Sequence, residues 1–238
     1  MKKNNIILDL DQTLIYGEPV KGFGDSLYSK ASNFTFHNMD QTYIIFERPY
    51  LQEFLDFIFD NFNVIVWTAA SKDYALFVIE KVILKKPNRV LKFIFTSYHC
   101  RISEKTNKHE YTKDLQLLWN KFNISDLSFQ NTFIIDDYKS DVYTSQPKNC
   151  ILAPEFVFKN QNSENDTFLK DLIPKMKELI STDDVQPIIS NINNIQETTE
   201  EYDDHDDHDD HDDHEKDDKN EKETDTTTDH ETSTTDDD

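Results

Sequence analysis

The chain has 238 residues, with 25 basic against 47 acidic side chains and a net charge of -22. The segment from Glu197 to Asp238 carries 22 of those acids and three lysines, so the rest of the chain is close to neutral at -3 and shows no basic, aromatic surface that would favour a nucleic-acid partner. Two cysteines, Cys100 and Cys150, are too few for a disulfide framework, and the first apolar run is cut at Asp9, too short for a signal peptide or a membrane span.

In chain order, "NNIILDL" predicts a short strand of the continuously apolar kind found in a sheet covered on both faces. All three glycines follow it, at positions 17, 22 and 24, and their crowding predicts a flexible loop. "NFTFHNMDQTYIIFERP" has two β-rich runs around "NMDQ" and predicts a hairpin. Pro49 suits the first turn of a helix over "YLQEFLDFIFDNF". "NVIVWT" is a second buried strand, "SKDYALFVIEKVILKK" a helix with Ser71 as its N-cap, and "LKFIFTS" a third strand. A polar stretch leads to a helix over "YTKDLQLLWNKF", then a strand over "NTFIIDD", then a helix over "NDTFLKDLIPKMKELI" broken at Pro174.

Strands alternating with helices predict an α/β fold, a Rossmann-like parallel sheet with helices on both faces, carrying a small β-hairpin insertion and no large cap domain. Residues 1–184 are expected to form this domain. Residues 185–238, with Asp-Asp-His repeated four times and then Thr, Asp and Glu, are expected to be a disordered acidic tail. Its charge suits contact with a basic partner surface, and its histidines build no closed metal site. Nucleus or cytoplasm is the expected location, with no membrane partner.

Ligands of parallel sheets sit beyond the carboxyl ends of the strands. There the sequence places Asp9 and Asp11 after the first strand, Thr68 after the second, and Asp136 with Asp137 after the last. Lys113 is expected at the start of the helix before that last strand. Two acids separated by one residue repel each other unless a cation shares the site. Carboxylates from two strand ends suit Mg2+, which takes a few such oxygens together with phosphate and water. A strand-end carboxylate can attack phosphorus, a second acid can move the proton, and a hydroxyl with an ammonium can stabilise the phosphoryl oxygens.

"DLDQTL", "WTAA", "YTKDL" and "IIDD", in that order, resemble the motifs of the haloacid dehalogenase superfamily, most of all the branch of RNA polymerase II C-terminal-domain phosphatases and small CTD phosphatases. "RPYLQEFL" resembles the arginine-proline helix start of that branch. The resemblance implies that Asp9 is the phosphoryl-accepting nucleophile and a metal ligand. It implies that Asp11 is the general acid/base, offering its backbone carbonyl to Mg2+, and that Thr13 shapes the motif loop. Thr68 and Lys113 match the phosphoryl-binding pair, Asp137 the metal-binding position and Asp136 its supporting neighbour. Where the branch often has Phe-Arg-Glu-x-Cys, this chain has "IFTSYHCRI", with Arg101 after Cys100.

Each residue also has a plainer reading: Asp136 and Asp137 could cap a helix over "YKSDVY", Thr68 could bond backbone, and Lys113 could be a solvated helix residue. The expected function is an Mg2+-dependent phosphoserine or phosphothreonine protein phosphatase acting on a phosphorylated protein segment. The intervals between the motifs leave no room for a separate cap, which suits a large substrate. The alternatives are a phosphopeptide-binding scaffold on the same fold and a phosphatase of nucleic-acid ends or small molecules.

Overall fold

A computed structural model describes residues 3–107 and 109–203. Strand β1 (Asn5–Leu8) leads through a tight loop to β2 (Ile15–Pro19) and helix α1 (Asp25–Ala31). The hairpin of β3 (Phe36–Met39) and β4 (Tyr43–Glu47) follows, then α2 (Leu51–Asn61). Next come β5 (Asn63–Trp67), α3 (Lys72–Val78) extended by a π-helical turn over Ile79–Ile83, β6 (Phe93–Phe95) and α4 (Ser97–Thr106). The chain continues through α5 (Gln116–Asn120), β7 (Thr132–Asp136), β8 (Cys150–Leu152), α6 (Phe168–Lys175) and α7 (Gln186–Asp203).

Five strands form a parallel sheet in the order β6-β5-β1-β7-β8. The central strand β1 is buried on both faces, which explains its unbroken apolar run. Alternation sends Ile6 and Leu8 to one side, among Phe54 and Ile58 of α2, Val78 of α3, Leu172 of α6 and Ile189 of α7. Ile7 points to the other side, among Ile65, Trp67, Cys100 of α4, Leu118 of α5 and Ile134. Leu8 pairs with both Val66 and Ile135, so the residues after β1, β5 and β7 emerge at one edge in register.

The predicted hairpin is present, with Asp40 at φ 44° and Gln41 at φ 59° forming the left-handed turn that suits the twist of paired strands. It belongs to a second, antiparallel sheet ordered β2-β4-β3. Here the expectation of a flexible glycine loop fails: Gly17 lies inside β2, and α1 follows it. The apolar residues flanking the glycines supply the reason, since Tyr16, Val20, Phe23 and Leu27 pack with Phe46 and Phe158. The stretch read as a polar connector is α4, opened by a capping box in which Thr96 and His99 satisfy each other's backbone. Pro49 precedes its helix by two positions, because Tyr50 takes a left-handed φ of 64° before Leu51. Strand β8 was not expected.

The boundary at residue 184 also needs correction, since α7 begins at Gln186. Val185, Ile189 and Ile192 recur at helical spacing and are buried in the core. Asn193 ties the helix to β8, donating to the Cys150 carbonyl at 2.9 Å. The remainder of the expected tail, 204–238, lies outside the described residues.

Arg48 holds the loop after β1 in place. Its guanidinium is 1% exposed; it donates to the Thr13 carbonyl at 2.9 Å and the Pro154 carbonyl at 3.0 Å, and it forks onto both Asp166 oxygens at 3.0 and 2.7 Å. The ring of Phe168 lies 4.6 Å from the guanidinium carbon. Lysine keeps the charge but not the planar fork. Arg48→Lys is therefore expected to lower stability by about 2–4 kcal/mol, read from the urea midpoint, through buried acceptors left unpaired.

Candidate active site

Asp9 is the first residue past β1, and its amide donates to the Ile135 carbonyl at 3.1 Å. That bond continues the pairing of β1 with β7 and brings Asp9 beside Asp136. Lys113 Nζ lies between the two acids, donating to Asp9 Oδ1 and, at 2.7 Å, to Asp136 Oδ2. All three are almost fully buried, at 5%, 4% and 1% exposure for Asp9, Lys113 and Asp136. Asp136 Oδ1 also accepts the Tyr138 amide at 3.0 Å.

The loop from Asp9 to Ile15 is short and closed on itself. Leu14 and Ile15 amides both donate to the Leu10 carbonyl, at 2.9 and 3.0 Å, and Gln12 takes a left-handed φ of 62°. Thr13 Oγ1 donates to Asp137 Oδ1 at 2.8 Å, which joins the loop after β1 to the end of β7. Asp11 accepts from Tyr74 Oη at 2.5 Å. Thr68 is 1% exposed at the end of β5; its amide donates to the Phe95 carbonyl and its Oγ1 accepts the Ala70 amide at 3.0 Å.

Lys113 was expected at the start of a helix. It stands instead in a turn three residues before α5, and that turn is held by side chains rather than by helical bonds. Asp141 accepts the Thr112 amide at 3.1 Å, Gln146 donates to the Lys113 carbonyl at 2.7 Å and accepts the Leu115 amide at 3.0 Å, and Ser103 donates to the Tyr111 carbonyl at 2.6 Å. Sequence reading missed these supports and Tyr74. Only "YKSDVY" offered a signal, and its acid caps a distant segment, not its own helix.

Burial dominates the electrostatics. It raises the pKa of Asp9, with the Lys113 ammonium opposing and Asp136 adding to the rise. It raises Asp11, against the hydrogen bond from Tyr74, and Asp137, against the hydrogen bond from Thr13. Burial works against the charge of Lys113, but Asp136 and Asp9 together outweigh it, so the amine stays an ammonium. Burial also pushes Cys100 up to about 11, so its thiol, though close to the Thr68 carbonyl, is no nucleophile.

Four acids share one lysine at this edge, burial opposes the ionisation of Asp9, Asp11 and Asp137, and the donors they offer are hard oxygens. That chemistry fits a magnesium ion. Among the described residues no three Asp, Glu, His or Cys side chains form a ready-made metal cluster. Asp9, Asp137 and the Asp11 carbonyl would hold such an ion, with the other positions left to phosphate and water.

A parallel sheet that gathers acids, a buried lysine and a buried threonine at its carboxyl edge defines a haloacid-dehalogenase-type phosphatase of the CTD-phosphatase branch. The chain belongs to the NLI interacting factor-like phosphatase family, whose model matches residues 4–186. It is similar to a CTD phosphatase-like protein of Invertebrate iridescent virus 6, 46% identical over 172 residues that cover 71% of this chain and 94% of the relative. A CTD phosphatase-like protein of Invertebrate iridescent virus 3 is 42% identical over 175 residues, covering 71% and 92%. Among solved structures, Fcp1, described as an essential RNA polymerase II CTD phosphatase, aligns with a TM-score of 0.47 at 18% identity, covering 82% of this chain and 54% of that one.

Proposed function

We propose that the chain is an Mg2+-dependent phosphatase of phosphoserine or phosphothreonine in protein segments, working through an aspartyl-phosphate at Asp9. The observation that carries the reading is the placement of Lys113 between Asp9 and Asp136, with Asp11 and Thr68 emerging at the same edge. In the first step an Asp9 oxygen attacks phosphorus while the bond to the serine or threonine oxygen breaks, and protonated Asp11 gives its proton to that oxygen. In the second, Asp11 takes a proton from water as the water attacks phosphorus, releasing phosphate and restoring the Asp9 carboxylate. Lys113 and Thr68 stabilise the phosphoryl oxygens in both steps. Mg2+, held by Asp9, Asp137 and the Asp11 carbonyl, would supply positive charge to offset the negative charge of the phosphoryl group.

Substrate size follows from what lies around this edge. Between Asp11 and Thr68 the chain forms β2–β5, α1 and α2; between Thr68 and Lys113 its described residues form α3, β6 and α4. Neither interval builds an independent cap, which supports a protein segment as substrate. Because relatives are named CTD phosphatase-like and the motifs of this chain resemble those of the RNA polymerase II C-terminal-domain phosphatases, a phosphoserine peptide of that domain is the first substrate to test.

Phosphate release from phosphoserine and phosphothreonine peptides is expected with Mg2+, to be lost in EDTA and to return on adding Mg2+ back. Turnover confined to phosphorylated oligonucleotide ends or sugar phosphates would refute the substrate assignment. Tight phosphopeptide binding with no turnover would refute catalysis and identify a scaffold.

A further inference from the structure

Asp11 stands on a loop, yet its proposed work requires one carboxyl oxygen to face first a leaving group and then a water. Within the loop, that side chain is met by its own backbone amide. Its side-chain partner comes from α3: Tyr74 Oη, 2.5 Å from Asp11 Oδ1, within the range of a hydroxyl bonded to a carboxylate. Three features aim this phenol. The Ser71 hydroxyl caps α3 by accepting the Tyr74 amide at 3.4 Å. The ring of Tyr43 meets that of Tyr74 edge-on, with centroids 5.5 Å apart. Gly17 of β2 leaves the space that the hydroxyl fills: a Cβ there would overlap Tyr74 Oη, while standing 3.5 Å from Ile45 Cδ1. The glycine is required by this close approach and not by its backbone angles.

Resting on the phosphatase reading above, we propose that Tyr74 is a positioning residue for the general acid/base: its hydroxyl occupies Asp11 Oδ1 and so reserves Asp11 Oδ2 for proton transfer. The phenol keeps its own proton throughout. In the first step the proton on Oδ2 passes to the leaving oxygen, and in the second Oδ2 receives one from water. Helix α3 follows Thr68 by only four residues, so the segment that ends in a phosphoryl-binding hydroxyl also orients the acid.

The two steps depend on Asp11 differently according to the leaving group, and this separates positioning from mere structural support. An alkoxide such as serine's needs protonation; an aryl oxide of low basicity leaves with little help. Since kcat/KM reports the first irreversible step, Tyr74→Phe is expected to lower it about tenfold more for a phosphoserine peptide than for an aryl phosphate. The second step is common to both substrates and needs Asp11 as base. With the aryl phosphate, Tyr74→Phe should therefore show a burst of released phenol followed by slow turnover. Gly17→Ala, which pushes the hydroxyl aside without removing it, should reproduce the substrate-selective loss, and the double variant should lose little more than either single one.

Equal losses of kcat/KM for both substrates, as unfolding or general loosening would give, would overturn the proposal, and so would no loss for the peptide. Additive losses in the double variant would also count against it. Failure of the wild type to turn over either substrate would overturn the phosphatase reading itself. Wild-type turnover with an unselective Tyr74→Phe would sink the Tyr74 role alone.

Discussion

Asp9→Asn is expected to abolish phosphate release from peptide and aryl substrates alike, a loss of about 10⁴-fold or more, of the size seen when a nucleophile is removed. The amide cannot attack phosphorus, and neither the thiol nor the amine at the site can take over. Cys100 is held as a thiol by burial, and Lys113 is held as an ammonium by Asp136 and Asp9. The same variant should cost little stability. Asparagine has the shape of the residue it replaces, and Lys113 keeps its contact with Asp136 at 2.7 Å. Removing a buried carboxylate also relieves its repulsion with Asp136 and Asp11, both of which raise the pKa of Asp9 after burial itself. In magnesium-free buffer the thermal midpoint of Asp9→Asn should match or exceed that of the wild type. Phosphate release that survives the substitution would remove Asp9 from the mechanism.

How much of this could be read from the chain differs from one element to another. Strands buried on both faces declare themselves as apolar runs, and β1, β5 and β7 were each visible because of it. Asp9, Thr68 and Asp136 were legible for the same reason, as polar residues placed where such runs stop. Helix α4 was hidden because its cap is reciprocal between Thr96 and His99, and histidine is not the glutamate or glutamine expected in a capping box. Helix α7 was hidden by proximity to the acidic segment, although its isoleucines keep helical spacing. The supports of Lys113 come from residues far along the chain: Asp141 and Gln146 bond a turn some thirty positions earlier. A side chain capping a distant backbone leaves no local pattern to find. Tyr74 is concealed in the same way, since its partner Asp11 lies 63 residues before it.

Lys113→Met should be damaging in a manner that Asp9→Asn is not. Methionine fills most of the space but brings no charge, so Asp9 and Asp136 would face each other buried and unpaired. Breaking a buried pair from one side typically costs about 3–5 kcal/mol, far more than an exposed pair is worth. Activity should fall by about 10²–10³-fold as well, because the ammonium no longer meets the phosphoryl oxygens. Asp9, whose carboxyl burial already favours in its protonated form, would relieve part of the strain by holding a proton, which becomes harder as pH rises; the stability deficit of Lys113→Met should therefore widen from acid to neutral pH. Combining it with Asp9→Asn removes one of the opposed charges. The double variant should recover stability relative to Lys113→Met while remaining inactive, a coupling that urea midpoints of the wild type, both single variants and the double variant would measure. If Lys113→Met unfolded at the wild-type midpoint at neutral pH, the lysine would not be the cation that keeps these two acids together.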